Sequence, residues 1–253
     1  MEYTTNEMMC IAAATRLKDG MNVAVGVGLP QMGCFFAKYT HAPGLNMCYV
    51  LGGYNPYPKD TGVGLADPRI WYQCDYYAGF MEALGELLAN GHVDVGFLGA
   101  LQCDRFGNLN SSLIRNPDGS IRHFTGSGGA ADIANLSKNV FIIQKHEARK
   151  VCAAVDFVTS VGAYRGGNSR VEAGIPATQG VTVFTNLCIM KTGAESGQLE
   201  LQSLHPGVTI EQLKENTGFD LIIPSEYEIT PEPDPEYLRV LRTVVDPNKI
   251  YIR

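Results

Sequence analysis

The chain has 253 residues, 45% of them apolar, with a net charge of −6, which is enough to bury a full core in one large α/β domain spanning residues 1–253. No Lys/Arg run or basic patch interrupts this acidic balance, which argues against a nucleic-acid partner. No apolar run reaches the roughly 18 residues of a membrane span, and the first residues lack a basic stretch followed by an apolar one, so no membrane association and a cytoplasmic location are expected.

In chain order, residues 6–18 carry an apolar face (Met9, Ala12, Ala13, Leu17) and stop at Asp19-Gly20, which predicts a helix. Residues 22–27 predict a short strand, residues 31–40 a second helix, and residues 46–51 a strand that runs into Gly52-Gly53 and a Pro-rich loop. Residues 72–90 predict a long helix with Gly91 as its C-cap. Apolar runs at 93–98, 140–144 and 181–187 predict buried strands. Thr209-x-x-Gln212 is a capping box that opens a helix ending near Thr217-Gly218. Residues 229–235 predict an extended tail, and residues 237–244 a last short helix. Helices alternating with short apolar strands predict a mainly parallel sheet with helices on both faces.

The seven cysteines stand at scattered positions with no CxxC pair, so reduced, mostly buried thiols are expected and no metal site. His123 and His146 lack ligand spacing and read as structural. Gly26-Val27-Gly28-Leu29-Pro30 follows a strand, but the next glycine is Gly33, the wrong spacing for a dinucleotide fingerprint; a tight strand-to-helix turn is expected. Gly52-Gly53 would let a ligand approach the backbone closely. Gly126-Ser127-Gly128-Gly129 leads into a helix at Ala130. It reads either as a plain turn or as a row of N–H groups facing an anion or a developing oxyanion. Asn108 and Asn110 could line a pocket or form an Asx turn. Tyr54, Tyr57, Trp71, Tyr72, Tyr76 and Tyr77 crowd one region and suit core or subunit packing.

Several of these stretches resemble a known family. Val25-Gly26-Val27-Gly28-Leu29-Pro30, His41-Ala42-Pro43, the run from Val95 to Gln102 and Asp104-Arg105-Phe106-Gly107-Asn108 carry the likeness. So do Phe124-Thr125-Gly126-Ser127-Gly128-Gly129-Ala130, Phe157-Val158-Thr159-Ser160, His205-Pro206-Gly207-Val208 and Asn216-Thr217-Gly218-Phe219-Asp220. In this order they resemble β subunits of class I CoA-transferases, of the glutaconate CoA-transferase kind. The resemblance implies the α/β CoA-transferase fold and an obligatory α subunit in an α2β2 assembly. It also implies an active site between the two kinds of subunit and coenzyme A as part of the substrate, with no permanently bound cofactor.

The family places a nucleophilic glutamate after the strand that ends here at Val50, in Glu-Ser-Gly or Glu-Asn-Gly. The matching position is Leu51, and no Glu occurs between Met8 and Met81. Leucine has no lone pair with which to attack a thioester. Members of the fold that lack the glutamate are expected to cleave carbon–carbon bonds of CoA esters instead, by ring-opening hydrolysis or decarboxylation. By resemblance, Gly128 and Gly129 would be oxyanion donors, and Gly28, Gly52, Gly53, Gly126 and Ser127 would contact substrate. Asn108 would orient the thioester. Tyr54 or Asp60 would be the replacement nucleophile if transfer were retained, and a non-catalytic subunit is the remaining alternative.

Overall fold

The computed structural model describes residues 2–57 and 62–252. The chain forms two compact units, where one domain was expected over residues 1–253. Met1–Gly99 with Glu232–Arg253 make the first, and Ala100–Pro231 the second. The second is inserted into the first; no Pro/Gly/Ser-rich linker marks the first join, whereas the second falls in the stretch Pro231-Glu232-Pro233-Asp234-Pro235.

The first unit opens with α1 (Thr5–Ala14), started by a capping box between Thr4 and Glu7. Glu7 also receives the guanidinium of Arg242, which ties the C-terminal segment to this helix and holds the carboxyl below its ordinary range despite burial. Strand β1 (Asn22–Val25) leads through Gly28 into α2 (Leu29–Tyr39). Gly28 sits at φ +98°, ψ −137°, a conformation that a residue with a Cβ adopts at a cost; Pro30 then starts the helix. The turn expected at Gly26–Pro30 is what forms.

Strands β2 (Asn46–Cys48), β3 (Gly53–Tyr54), β4 (Tyr76–Tyr77) and β5 (Val95–Gly99) complete the unit's sheet in the order β5-β1-β2-β3-β4. β1 pairs parallel with β2 and β5, whereas β3 pairs antiparallel with β2 and β4. The helix expected over 72–90 is confined to its C-terminal half. Pro68–Trp71 forms a 3₁₀ turn, Tyr76 and Tyr77 extend to pair with Tyr54 and Gly53, and a wide helical stretch occupies Glu82–Leu88. Adjacent tyrosines favour a half-buried pleated surface, and a free sheet edge overrides the helical spacing. The C-cap is Ala89 rather than Gly91, which follows two residues later in the left-handed region at φ +73°.

The second unit contains β6 (Gln102–Asp104), β7 (Leu109–Asn110), β8 (Leu113–Arg115), β9 (Ile121–His123), α3 (Ala130–Leu136), β10 (Asn139–Ile143), β11 (Val151–Cys152) and α4 (Ser169–Glu172). β12 (Val181–Phe184), β13 (Cys188–Thr192), β14 (Leu199–Leu204), α5 (Ile210–Glu215) and β15 (Glu228–Ile229) follow. The strands run β15-β14-β13-β12-β10, parallel at β10/β12 and β14/β15 and antiparallel between. β8 and β9 form a separate hairpin, and β11-β6-β7 a small sheet. The capping box at Thr209 and Gln212 opens α5. After β15, a helix at Pro235–Val240 returns the chain to the first unit.

Candidate active site

Leu51, Gly52, Gly53, Tyr54 and Gly28 belong to the first unit; Asn108 and the Gly126–Gly129 loop belong to the second. Asp60 lies outside the described residues.

In the first unit β2 ends at Cys48, not at 51. The Gly52 N–H donates to the Tyr49 carbonyl at 2.8 Å, closing a tight turn whose tip carries Val50 and Leu51. Leu51 is 40% exposed. Gly52 has φ +94°, and a Cβ there would stand 1.8 Å from the Ala78 carbonyl oxygen. A Cβ at Gly53 would press on Trp71 at 3.0 Å and on the Cys74 sulfur at 3.4 Å. The close approach that two glycines permit is therefore taken by the chain itself.

Nearby nucleophiles are poorly activated. Cys48 is buried opposite Tyr54, and burial, followed by Cys74, pushes its thiol up to about 11. Cys74 is likewise pushed up to about 11 by burial and by Asp75. Tyr54 stacks on Tyr76 with ring centroids 4.9 Å apart, and burial and Tyr76 raise its hydroxyl above the ordinary range. At these values the nucleophilic anion is a small minority at neutral pH.

The loop of the second unit is different. Gly126 and Gly128 sit at φ +82° and +48°, and nothing lies within 4 Å of where either Cβ would be. Gly129 is the N-cap of α3, and the Ala130 N–H returns to the Ser127 carbonyl at 2.8 Å. The Ser111 hydroxyl donates to the Gly126 carbonyl at 2.9 Å, and the Gly126 N–H donates to the Ser111 carbonyl at 3.2 Å. Thr159 supports this arm by accepting the Ser111 N–H at 3.0 Å and bonding the Ser112 hydroxyl at 2.8 Å. Ser127 and Gly128 are exposed, and Gly129 is buried.

Behind the loop, Arg170 is 4% exposed and donates to five carbonyls: Ala134, Asn135, Val161, Gly162 and Pro176. Among the described residues no carboxylate shares this set. The guanidinium is satisfied by oxygens at the end of α3 and in two other segments, which fastens the helix that the loop opens. Neither Thr159 nor Arg170 was a sequence candidate. Thr159 lies in a stretch that carries the family resemblance, but no spacing rule marks Arg170.

An Asx turn forms at Asn110, whose oxygen accepts the Ser112 N–H at 3.0 Å, and not at Asn108. The Asn108 amide donates to Asp104 at 2.9 Å and to the Tyr164 carbonyl at 2.7 Å, and its oxygen accepts the Gly162 N–H at 2.9 Å. These bonds lock a turn and leave it little capacity to orient a thioester. His146, 3% exposed, bonds Thr185 and Thr217, and burial lowers its imidazole to about 4. His123 is exposed on β9. Among the described residues no group of three His, Cys, Asp or Glu side chains could hold a metal ion, and no helix is long and apolar enough to cross a membrane.

Residues 6–216 match the Coenzyme A transferase family. The chain belongs to this family. It is 38% identical over 242 residues to the β subunit of 3-oxoadipate CoA-transferase of Pseudomonas knackmussii, covering 96% of this chain and 93% of that one. It is 32% identical over 258 residues to the β subunit of glutaconate CoA-transferase of Acidaminococcus fermentans, covering 99% and 96%. The crystal structure of that glutaconate enzyme superposes with a TM-score of 0.92 at 31% identity, over 100% of this chain and 98% of that one. The cholesterol ring-cleaving hydrolase IpdB subunit of Rhodococcus jostii is 31% identical over 168 residues, 65% of this chain and 64% of that one. The α/β CoA-transferase fold expected from the resemblance is thus the fold observed.

Proposed function

We propose that this chain is the β subunit of a heteromeric acyl-CoA enzyme that cleaves a carbon–carbon bond of a CoA ester, by ring-opening hydrolysis or decarboxylation, and does not transfer CoA. The observation that carries this reading is the turn at residues 49–52. On the resemblance drawn above the family's glutamate position falls on Leu51, which is exposed, and the turn that presents it is closed by Gly52 against the Ala78 carbonyl. A glutamyl thioester cannot form at Leu51, and the nearby thiols and Tyr54 stay protonated. What remains is the open loop Gly126–Gly129, whose Gly128 and Gly129 N–H groups suit a thioester oxygen that gains charge as an enolate or tetrahedral species forms. Similarity to a ring-cleaving hydrolase subunit supports the same reaction class. The general acid or base would come in part from an α subunit, as the relatives' subunit names suggest.

A second reading, CoA transfer through a replacement nucleophile, is favoured by the 38% identity to a transferase subunit over nearly the whole chain. The two separate in one experiment. The chain, purified with its α subunit, is incubated with acyl-CoA and treated with borohydride or hydroxylamine, which trap glutamyl-type thioesters. Peptides are then read by mass. No adduct is expected on the peptide containing Leu51 or elsewhere on this chain. An adduct on the peptide holding Tyr54 or Asp60 would establish transfer. The chain expressed alone should be inactive, and robust turnover without a partner would remove the heteromer from the proposal.

A further inference from the structure

We propose that Ser111 is a positioning residue: its hydroxyl fixes the Gly126–Ser127 peptide so that the Ser127 N–H joins the donors of the glycine loop. The Gly126 carbonyl accepts the Ser111 hydroxyl at 2.9 Å. The Gly126–Ser127 peptide is trans and planar, so its N–H points the opposite way from that carbonyl. The Ser127 N–H is therefore turned away from Ser111, at a residue that is exposed. The next peptide obeys the same rule. The Ser127 carbonyl accepts the Ala130 N–H at 2.8 Å, so the Gly128 N–H is turned away from the first turn of α3. Two consecutive donors are thus left facing outward, and among the described residues neither meets an acceptor.

What makes Ser111 decisive is the freedom of Gly126. It sits at φ +82°, and nothing lies within 4 Å of where its Cβ would be. A glycine with that space can exchange one orientation of the following peptide for its reverse at little cost. The reverse would send the Ser127 N–H toward Ser111 and turn the negative end of the carbonyl toward the charge that develops on a thioester oxygen. Backbone pairing does not choose between the two. The Gly126 N–H donates to the Ser111 carbonyl at 3.2 Å, which leaves the following peptide free to turn. The Ser111 N–H, which could have held the Gly126 carbonyl from the neighbouring strand, donates instead to the Thr159 hydroxyl at 3.0 Å. Among the described residues the choice falls to the Ser111 hydroxyl alone.

Ser112 cannot take over this task. Its hydroxyl bonds Thr159 at 2.8 Å, its N–H donates to the Asn110 side-chain oxygen at 3.0 Å, and its carbonyl accepts the Phe124 N–H at 2.8 Å. Asn110 and Thr159, both buried, thereby hold the backbone from which the Ser111 hydroxyl reaches the loop. A peptide already turned the right way needs no reorganisation when charge appears on the substrate. This role of Ser111 rests on the acyl-CoA reading above, and it adds the Ser127 N–H to the Gly128 and Gly129 groups of that site.

The test is deuterium exchange at the α-carbon of acetyl-, butyryl- and glutaryl-CoA in D2O, catalysed by the full chain purified with its partner and followed by mass. This exchange reads enolate formation, whichever bond is cleaved afterwards. Ser111→Ala should lower kcat for exchange by roughly tenfold to a hundredfold with KM unchanged, because the misdirected donor serves a charge present only in the transition state. Ser111→Thr keeps a hydroxyl and should keep most of the rate. Ser111→Cys, close in shape but a weak donor, should fall between the two, and it carries the same comparison if the alanine variant fails to assemble. Near-normal kcat in Ser111→Ala, a raised KM in its place, or Ser111→Thr as slow as Ser111→Ala would overturn the proposal. Gly128→Val separates it from the reading on which it rests. A slow Gly128→Val beside a normal Ser111→Ala removes Ser111 alone. Two normal variants, or a wild-type complex that exchanges none of these thioesters, strike the acyl-CoA reading and this proposal with it.

Discussion

Gly52 and Gly128 both take positive φ, +94° and +48°, but they are glycines for opposite reasons. At Gly52 the missing Cβ is replaced by the Ala78 carbonyl oxygen, and the residue is required by packing within the chain. At Gly128 nothing of the described chain occupies the space, and backbone conformation is the sole internal demand. One region, the turn at residues 49–52, has closed around itself. The other keeps an exposed, unencumbered loop. A subunit that had lost all catalytic duty would have no reason to treat the two differently.

Substitution at each glycine breaks or sharpens this contrast. Gly52→Ala should be the most damaging change: a Cβ 1.8 Å from a carbonyl oxygen cannot be accommodated without moving β4. A loss of about 4 kcal/mol or more is expected, read as a shifted urea midpoint or failure to accumulate folded protein. A Gly52→Ala protein of normal stability would show that the turn is open after all. Gly128→Val meets no neighbour, and its folding penalty is backbone strain alone, about 1–2 kcal/mol. Its turnover should fall on the order of 10²–10³, mainly in kcat, because the stabilised charge exists only in the transition state. Near-normal turnover in a properly assembled variant would remove the loop from the active site.

Acid should distinguish the two units next. His146, in the second unit, is held at about 4 by burial, below its ordinary 6.5. A lowered imidazole resists the proton when folded, so the unfolded chain binds it first as pH falls. The stability due to neutral His146 is complete above pH 6.5 and is lost from there toward 4, about 2 kcal/mol by about pH 5. His205 is lowered by burial in the same direction. Hydrogen exchange at decreasing pH should therefore loosen β10–β14 before α1 and α2, whose Glu7–Arg242 pair weakens only in the carboxylate range. Simultaneous loosening would count against this ordering. Leu51→Glu should have the smallest effect, within about 0.5 kcal/mol, because the side chain is 40% exposed and the new carboxylate stays hydrated. It should not restore CoA transfer. Clear transfer by this variant would mean that the turn has kept transferase geometry.

Much of this fold was legible locally. Apolar runs mark β1, β5, β10 and β12, and Thr209-x-x-Gln212 marks the start of α5. Thr4-x-x-Glu7 carries the same capping signature and places the start of α1 at Thr5, four residues before Met9, the first residue of its apolar face. What escaped was set by distant partners. Tyr76 and Tyr77 extend because β3 offers an edge, and Gly52 is explained by a carbonyl 26 positions later. At the site, the glycine loop was visible as composition, yet its openness depends on what packs around it. Asn108 stood equally for a pocket or a turn until Asp104, Tyr164 and Gly162 were seen to consume its amide.

Arg170 has a consequence for kinetics. Its carbonyl partners lie 6 to 36 residues away, and together they anchor α3 from its far end. A loop that opens an anchored helix has met its ordering cost during folding, so on the proposed reading its N–H dipoles already stand where charge will develop. Little reorganisation free energy is then left to add to the barrier. Lysine, a point charge with three donors, cannot span five carbonyls. A side chain far from the thioester in its chemistry would thus set how still the oxyanion donors are held, and a looser clamp would appear as a slower reaction in an enzyme whose ground-state affinity is intact.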